Sequence, residues 1–347
     1  MRQSPHAAAE IAMIAPGEET GRLGVMHLKR FWSRRLAARA GATPAGDDHA
    51  ADHTLLSGLH AGTHEIESFL AQHTPTFEQF EAWILAINEG SLHPARVARI
   101  NAALSGTLDP GVPPPTGSPD AALTADDLRF WDEHGYVVLH NAVTPAQCAA
   151  AEQAIYDYLH VDPANPETWY ANPAGHTIWV ALLRHPAFQA NRESPRIHSA
   201  FAQLWGRTDL WVTIDQGGFN PPERPGWPFP GPRLHWDVSV AQPVPLGMQG
   251  ILYLTDTAAD QGAFTCVPCF HRRLATWLDE LPAGADPRDL ALLNTLPAKP
   301  IAGQAGDLVI WHHALPHGSS PNRSARPRVA QYLKLLPSWW DVNPVWR

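Results

Sequence analysis

Leu234-His235-Trp236-Asp237 and, further on, Leu315-Pro316-His317-Gly318-Ser319-Ser320-Pro321-Asn322-Arg323 are the stretches on which the reading of this chain turns. In an extended strand, residues two apart face the same way, so His235 and Asp237 can grip one ion together. A third ligand must then come from a distant strand folded back beside them, which calls for a fold that stacks strands remote in sequence. Three histidines stand in reach, His312, His313 and His317, and strand direction alone does not choose among them. His317 is favoured because it precedes a small Gly318-Ser319 corner with room for an ion and a cosubstrate. It also lies eleven residues before Arg328, which begins a strand. Two imidazoles and a carboxylate on one face leave three positions open, the pattern of a non-haem iron(II) centre. A guanidinium fork at Arg328, on a strand next to His317, suits the distal carboxylate of a dicarboxylate cosubstrate, with the Ser319 hydroxyl as second donor.

The surrounding texture is that of short strands. Tyr136–Leu139, Leu210–Ile214, Gly250–Thr255, Phe264–Val267, Leu308–Trp311 and Val329–Leu336 read as strands split by Gly/Pro-rich turns, which argues for a sandwich or jelly roll. Helices flank the first strand: Thr124 caps one that runs to His134 and stops at Gly135, and Thr144 with Gln147 makes a capping box opening a second, to about Leu159.

Upstream the pattern differs. Residues 1–20 carry no period and read as a leader, and residues 40–54 read as loop. Val25 to Arg39 is a basic amphipathic helix, taken as a packed surface helix with a solvated basic face rather than a membrane-surface element. A capping box at Thr76 and Gln79 opens a helix over Phe77–Glu89, and another follows over Pro94–Leu104. His60 and His64 stand at HxxxH spacing, but with no clear third ligand they read as partly exposed helix histidines. Five prolines and three glycines in residues 105–119 read as a linker. The expected organisation is therefore an α-helical module with a Pro-rich linker over 1–118 and a mainly β domain over 119–347.

Composition excludes several classes. The formal net charge of −9 argues against a nucleic-acid partner. No apolar run is long enough for a membrane span, and cytoplasmic location is the default expectation. Cys266-Val267-Pro268-Cys269 is a CxxC, but it follows a strand rather than opening a helix, so it reads as a strand-to-loop corner and not a redox pair.

Phe130-Trp131-Asp132-Glu133-His134-Gly135-Tyr136-Val137-Val138-Leu139, His235-Trp236-Asp237, Leu252-Tyr253-Leu254-Thr255-Asp256 and the run from His317 to Arg328 occur in the order seen in one known family. The span from about Leu123 to Leu336 resembles the phytanoyl-CoA dioxygenase family of iron(II)/2-oxoglutarate oxygenases. That resemblance implies a double-stranded β-helix (jelly-roll, cupin-like) core. It implies that His235, Asp237 and His317 are the iron ligands, that Arg328 and Ser319 hold 2-oxoglutarate, and that Tyr253 lies beside the cosubstrate. It also implies that His271 and Arg272 are corner residues, at a corner where Cys269 stands in place of the usual Gly.

The implied cofactors are Fe(II), 2-oxoglutarate and O2. Because Asp237 is present, hydroxylation of an unactivated C–H is expected over halogenation, with succinate and CO2 as coproducts. The substrate class is a small organic molecule: an amino-acid derivative, a natural-product intermediate or an acyl thioester. Gln216, Asn220 and Trp236 are the candidate substrate residues, with Asp215, Arg224 and Trp227 nearby. The rival readings are a non-catalytic jelly-roll binding protein and a zinc cupin-type hydrolase or isomerase. Partner expectations are a homodimer through the N-terminal helices or a docked carrier protein, with no nucleic acid and no membrane.

Overall fold

A computed structural model gives the fold and describes residues 13–42, 48–343 and 345–347. Among them the chain forms eleven strands: β1 (Tyr136–Leu139), β2 (Trp179–Val180), β3 (Leu210–Val212), β4 (Gly217–Asn220), β5 (Met248–Tyr253), β6 (Phe264–Cys266), β7 (Lys299–Pro300), β8 (Leu308–His312), β9 (His317–Ser319), β10 (Arg328–Leu333) and β11 (Leu335–Pro337). The described residues fall into two compact units.

The first unit takes the residues up to Gly111 together with Arg207–Ile214 and Leu336–Val342. A linear boundary at residue 118 misses those two later segments, because β3 pairs with β11 and its Trp211 belongs to the helical core of Phe31, Leu55, Phe80, Ile84 and Ile100. The helix Leu28–Arg39 turns its basic side chains onto acids: Arg30 Nε meets Asp48 at 2.8 Å, Arg34 Nη1 meets Asp52 at 3.2 Å and Arg35 Nη1 meets Glu67 at 3.0 Å.

The expected loop over 40–54 is helical from His49 (His49–Gly58), because Leu55 and Leu56 go into the core and carry Asp52 and Thr54 in with them. Parts of that loop and of the expected leader, residues 43–47 and 1–12, lie outside the described residues. His60 falls in the turn after this helix at φ +50°, so the HxxxH pair does not share one helix; the His64 side chain lies outside the described residues.

In the second unit the capping boxes at Thr124 and Thr144 start helices Ala125–His134 and Pro145–Leu159, as their spacing requires. Gly135, at φ +75°, ends the first in the left-handed conformation that favours glycine and turns the chain into β1. An antiparallel six-stranded sheet runs β1-β8-β5-β10-β4-β2, and an antiparallel three-stranded sheet runs β7-β6-β9. Ile251, Tyr253, Val309, Trp311 and Ala330 of the larger sheet share one buried cluster with Phe264 and Cys266 of the smaller.

Val329–Leu336, expected as one strand, divides at Lys334 into β10 and β11, which join different sheets. Cys269 adopts φ +65°, so the corner keeps a glycine-like backbone although it carries a side chain. No helix among the described residues is long and apolar enough to cross a membrane.

Candidate active site

The expected His-x-Asp strand is a bridge followed by a bend. His235 pairs antiparallel with His317, each backbone N–H donating to the other's carbonyl at 2.9 and 3.0 Å. Asp237 lies just past this bridge, outside any strand. The approach is close enough to need a glycine: a Cβ on Gly318 would lie 2.6 Å from the Arg233 carbonyl oxygen and 2.8 Å from that of Pro232. The small corner after His317, expected to leave room for an ion and a cosubstrate, thus leaves room first for backbone. Gly318 and Ser319 also line the adjoining cavity.

His235, Asp237 and His317 converge, with one ligand-type atom of each lying within 4.8 Å of the others. No other group of three such residues among the described residues is placed to hold a metal ion. Each imidazole has its Nδ1 turned to a backbone carbonyl, His235 to Arg233 at 2.7 Å and His317 to Leu315 at 3.1 Å. A carbonyl only accepts, so Nδ1 carries the proton and Nε2 is the nitrogen aimed inward. The Nε2 atoms lie 3.2 and 3.3 Å from the Asp237 carboxylate oxygens. Gln249 Nε2 donates to Asp237 Oδ2 at 2.9 Å.

Burial lowers the His235 pKa, but the hydrogen bond and charge of Asp237 outweigh it, and the net shift is upward. Burial likewise raises Asp237, and the bonds from both histidines and their charges reverse it, leaving the carboxyl well below the usual range. The geometry thus brings two imidazole nitrogens and a carboxylate together where a divalent cation fits. His312 and His313 do not join: His312 Nδ1 accepts from the Ala314 N–H at 2.9 Å, and burial pushes the two pKa values down to about 4 and about 3.

Arg328 is fully buried at the start of β10. It was expected on a strand next to His317, but β9 and β10 belong to different sheets. Gly218, paired with Ala330 across β4 and β10, clears space for the Tyr332 ring, which a Cβ there would approach to 3.1 Å, with Arg328 Nη1 next at 3.4 Å. Nη1 donates to the Tyr332 hydroxyl at 3.4 Å, while Nε and Nη2 have no hydrogen-bond partner. A buried cation with unsatisfied donors is costly unless an anion completes it, so the residues present fit an iron and a dicarboxylate.

The cavity beside the two histidines and Asp237, of about 180 Å³, is lined by His235, Asp237, His317 and Ser319, by the aromatics Trp179, Phe264, Trp311 and Tyr332, and by Asp215, Gln216, Gln249 and Lys334; Arg328 lies outside the lining, bonded to the Tyr332 that forms part of it. Of the expected substrate residues, Gln216 lines it. Trp236, on the face of the chain opposite its two neighbours, is buried in the core with its indole N–H on the Ala314 carbonyl at 3.0 Å. Asn220 is buried outside the lining, its amide donating to the Ser320 carbonyl at 3.4 Å.

Tyr253 is fully buried outside the lining as well, its hydroxyl donating to the Ile301 carbonyl at 2.7 Å and accepting the Phe264 N–H at 3.0 Å; burial raises its pKa. Tyr332 and Gln249 were not anticipated from sequence. Tyr332 was legible four residues after Arg328 on the same strand face, and Gln249 as the one amide side chain in the strand Met248–Tyr253. Trp179 gave no such signal.

Residues 131–330 match the family described as phytanoyl-CoA dioxygenase (PhyH). The chain belongs to that family. It is a non-haem oxygenase dependent on iron(II) and 2-oxoglutarate. A putative phytanoyl-CoA dioxygenase of Dictyostelium discoideum is 24% identical over 269 residues, covering 60% of this chain and 74% of that one. The ectoine dioxygenase of Bordetella bronchiseptica is 24% identical over 256 residues, covering 64% and 80%. Among solved structures, EctD from S. alaskensis with 2-oxoglutarate and 5-hydroxyectoine aligns at 20% identity and TM-score 0.46 over 66% of this chain and 81% of its own. The SnoK carbocyclase of nogalamycin biosynthesis aligns at 20% and 0.46 over 66% and 90%.

Proposed function

We propose that this chain hydroxylates an unactivated C–H bond of a small organic substrate, with His235, Asp237 and His317 holding iron(II) and Arg328 holding the distal carboxylate of 2-oxoglutarate. The observation that carries the reading is the pairing of an inward-facing two-His, one-carboxylate group with a buried guanidinium whose Nε and Nη2 lack partners. When bound, iron(II) with 2-oxoglutarate and dioxygen supplies the oxidising chemistry that couples decarboxylation, to succinate and CO2, with oxidation of substrate.

The protein's part is positional. Backbone bonds at Nδ1 keep both imidazoles turned inward, and Gln249 holds one carboxylate oxygen of Asp237. Tyr332 bonds Arg328 and Ser319 offers a second donor from the cavity wall, while the Phe264 and Trp311 rings pack against His317 at the metal end. Gln216, Trp179 and the Asp215–Lys334 ion pair, at 3.6 Å, are the groups left to meet substrate. Their mixture of amide, aromatic and charge favours a small polar molecule, such as an amino-acid derivative, over a natural-product intermediate or an acyl thioester. The facing sheets with their shared core support the double-stranded β-helix expected from sequence.

The test is succinate formation from 2-oxoglutarate by the iron-loaded protein in air, across panels of amino-acid derivatives, neutral metabolites and acyl thioesters. Stimulation by one class identifies it. Iron-loaded protein that neither binds nor turns over 2-oxoglutarate overturns the reading, as does activity retained with zinc in place of iron.

A further inference from the structure

The three residues of the metal-facing group are not held alike. His235 and His317 are locked by their mutual backbone bridge, whereas Asp237 follows it in a bend. Gln249 orients its carboxylate, but something must also fix its backbone. Arg288, in the turn before the short helix Leu290–Leu293, reaches that backbone. Its Nη1 donates to the Trp236 carbonyl at 2.7 Å and its Nη2 to the Val238 carbonyl at 2.6 Å, the two carbonyls on either side of Asp237.

A planar guanidinium presents its donors at fixed separation, so bonding both carbonyls fixes the Trp236–Asp237 peptide plane before Asp237 and the Val238–Ser239 plane one residue after it. The other side of the guanidinium is held too. Nη2 and Nε donate to the Arg347 carbonyl at 3.0 and 3.3 Å, and the Trp346 ring lies 4.5 Å from the guanidinium carbon. The segment Val345–Arg347 in turn grips the residues after Asp237. Ser239 Oγ donates to the Val345 carbonyl at 2.5 Å and accepts the Arg347 N–H at 3.1 Å, and the Val240 N–H donates to the Arg347 carbonyl at 3.2 Å.

We propose that Arg288 is a positioning residue for the metal site, a clasp that ties the Asp237 bend to the segment Val345–Arg347 and sets the carboxylate against the two imidazoles. The inference rests on reading His235, Asp237 and His317 as the metal ligands. Arg288 touches neither metal nor substrate; it acts through Asp237, as outer partners of metal ligands do.

The test is a titration of Mn(II) into the full-length apoprotein without 2-oxoglutarate, alongside thermal denaturation. Wild type and His317→Ala come first: tight binding by the first and its loss in the second establish the ligand set, and any other result removes the basis of the inference. Arg288→Lys keeps the charge but loses the fork, and Arg288→Met loses both. Each is expected to bind Mn(II) about 10- to 100-fold more weakly, and Trp346→Ala, which removes only the ring beside the guanidinium, to fall between them and wild type. If Arg288→Met does not fold, Arg288→Lys decides. Folded Arg288 variants with wild-type Mn(II) affinity and a lowered melting temperature overturn the inference, because a purely structural arginine would give that result.

Discussion

His235, Asp237 and His317 satisfy one another, with both Nδ1 atoms on carbonyls and both Nε2 atoms at the carboxylate. Arg328, behind Tyr332 in the same unit, is buried with two guanidinium nitrogens unpartnered. The first group is closed on itself, so that a cation can take the place of protons without leaving any side chain stranded. The second is open, so the fold without its anion carries an uncompensated charge. Mutual satisfaction marks where a cation can exchange with protons, and a buried donor without a partner marks where an anion can bind. The two halves should therefore answer to mutation in opposite ways.

The largest effect is expected at the closed half. His317→Ala removes one inward nitrogen and one of the partners of Asp237, and iron-dependent succinate formation should fall by more than the roughly 100-fold expected of an outer partner, with metal affinity lost alongside. Arg328→Met should separate the halves. In the absence of 2-oxoglutarate it exchanges a buried unpaired charge for an apolar side chain of similar length, so thermal unfolding should show it as stable as wild type or more so, by about 1–4 kcal/mol. A clear loss of stability in that variant would mean that the guanidinium is already satisfied without an anion.

Next comes the backbone beneath the closed half. Gly318→Ala places a Cβ 2.6 Å from the Arg233 carbonyl, so β9 and the His235 segment must part. A destabilisation of about 1–3 kcal/mol is expected, read by denaturant titration, together with weaker metal binding. The smallest effect lies outside the comparison and is a control on it. Burial pushes the Cys266 thiol up to about 12, so at pH 8 only about one part in ten thousand is thiolate, and native alkylation at Cys266 should be negligible. Since a raised thiol pKa suppresses the nucleophile below it, the rate should climb about tenfold per pH unit between pH 8 and 10; fast labelling at pH 8 would revive a redox reading of the CxxC.

How much of this was legible in sequence follows from the same physics. The helix starts at Thr76, Thr124 and Thr144 were readable because a capping box is a local device, complete within four residues. His235, Asp237 and His317 were readable because ligand chemistry limits the residue types, although the bridge that aligns two of them was not. Tertiary placement was harder. Arg328 stood out as a candidate cation, yet its strand joins a different sheet from that of His317, a matter of connectivity that eleven residues of spacing do not reveal.

Tyr253 and Trp236 show a related limit. Both are large side chains flanked by site-like sequence, and both face the core, where their polar atoms bond to backbone. The first unit recruits residues 207–214 and 336–342 from beyond the Pro-rich stretch because an apolar strand pair completes its core, a pairing no local composition announces.

The most direct test of the central claim is the binding of 2-oxoglutarate by calorimetry, without oxygen and with Mn(II) saturating the site, to wild type and to Arg328→Met. The account predicts that the variant keeps its Mn(II) affinity while its 2-oxoglutarate affinity falls about a hundredfold or more, the worth of two charge-assisted hydrogen bonds. Equal 2-oxoglutarate affinity in the two proteins would contradict it.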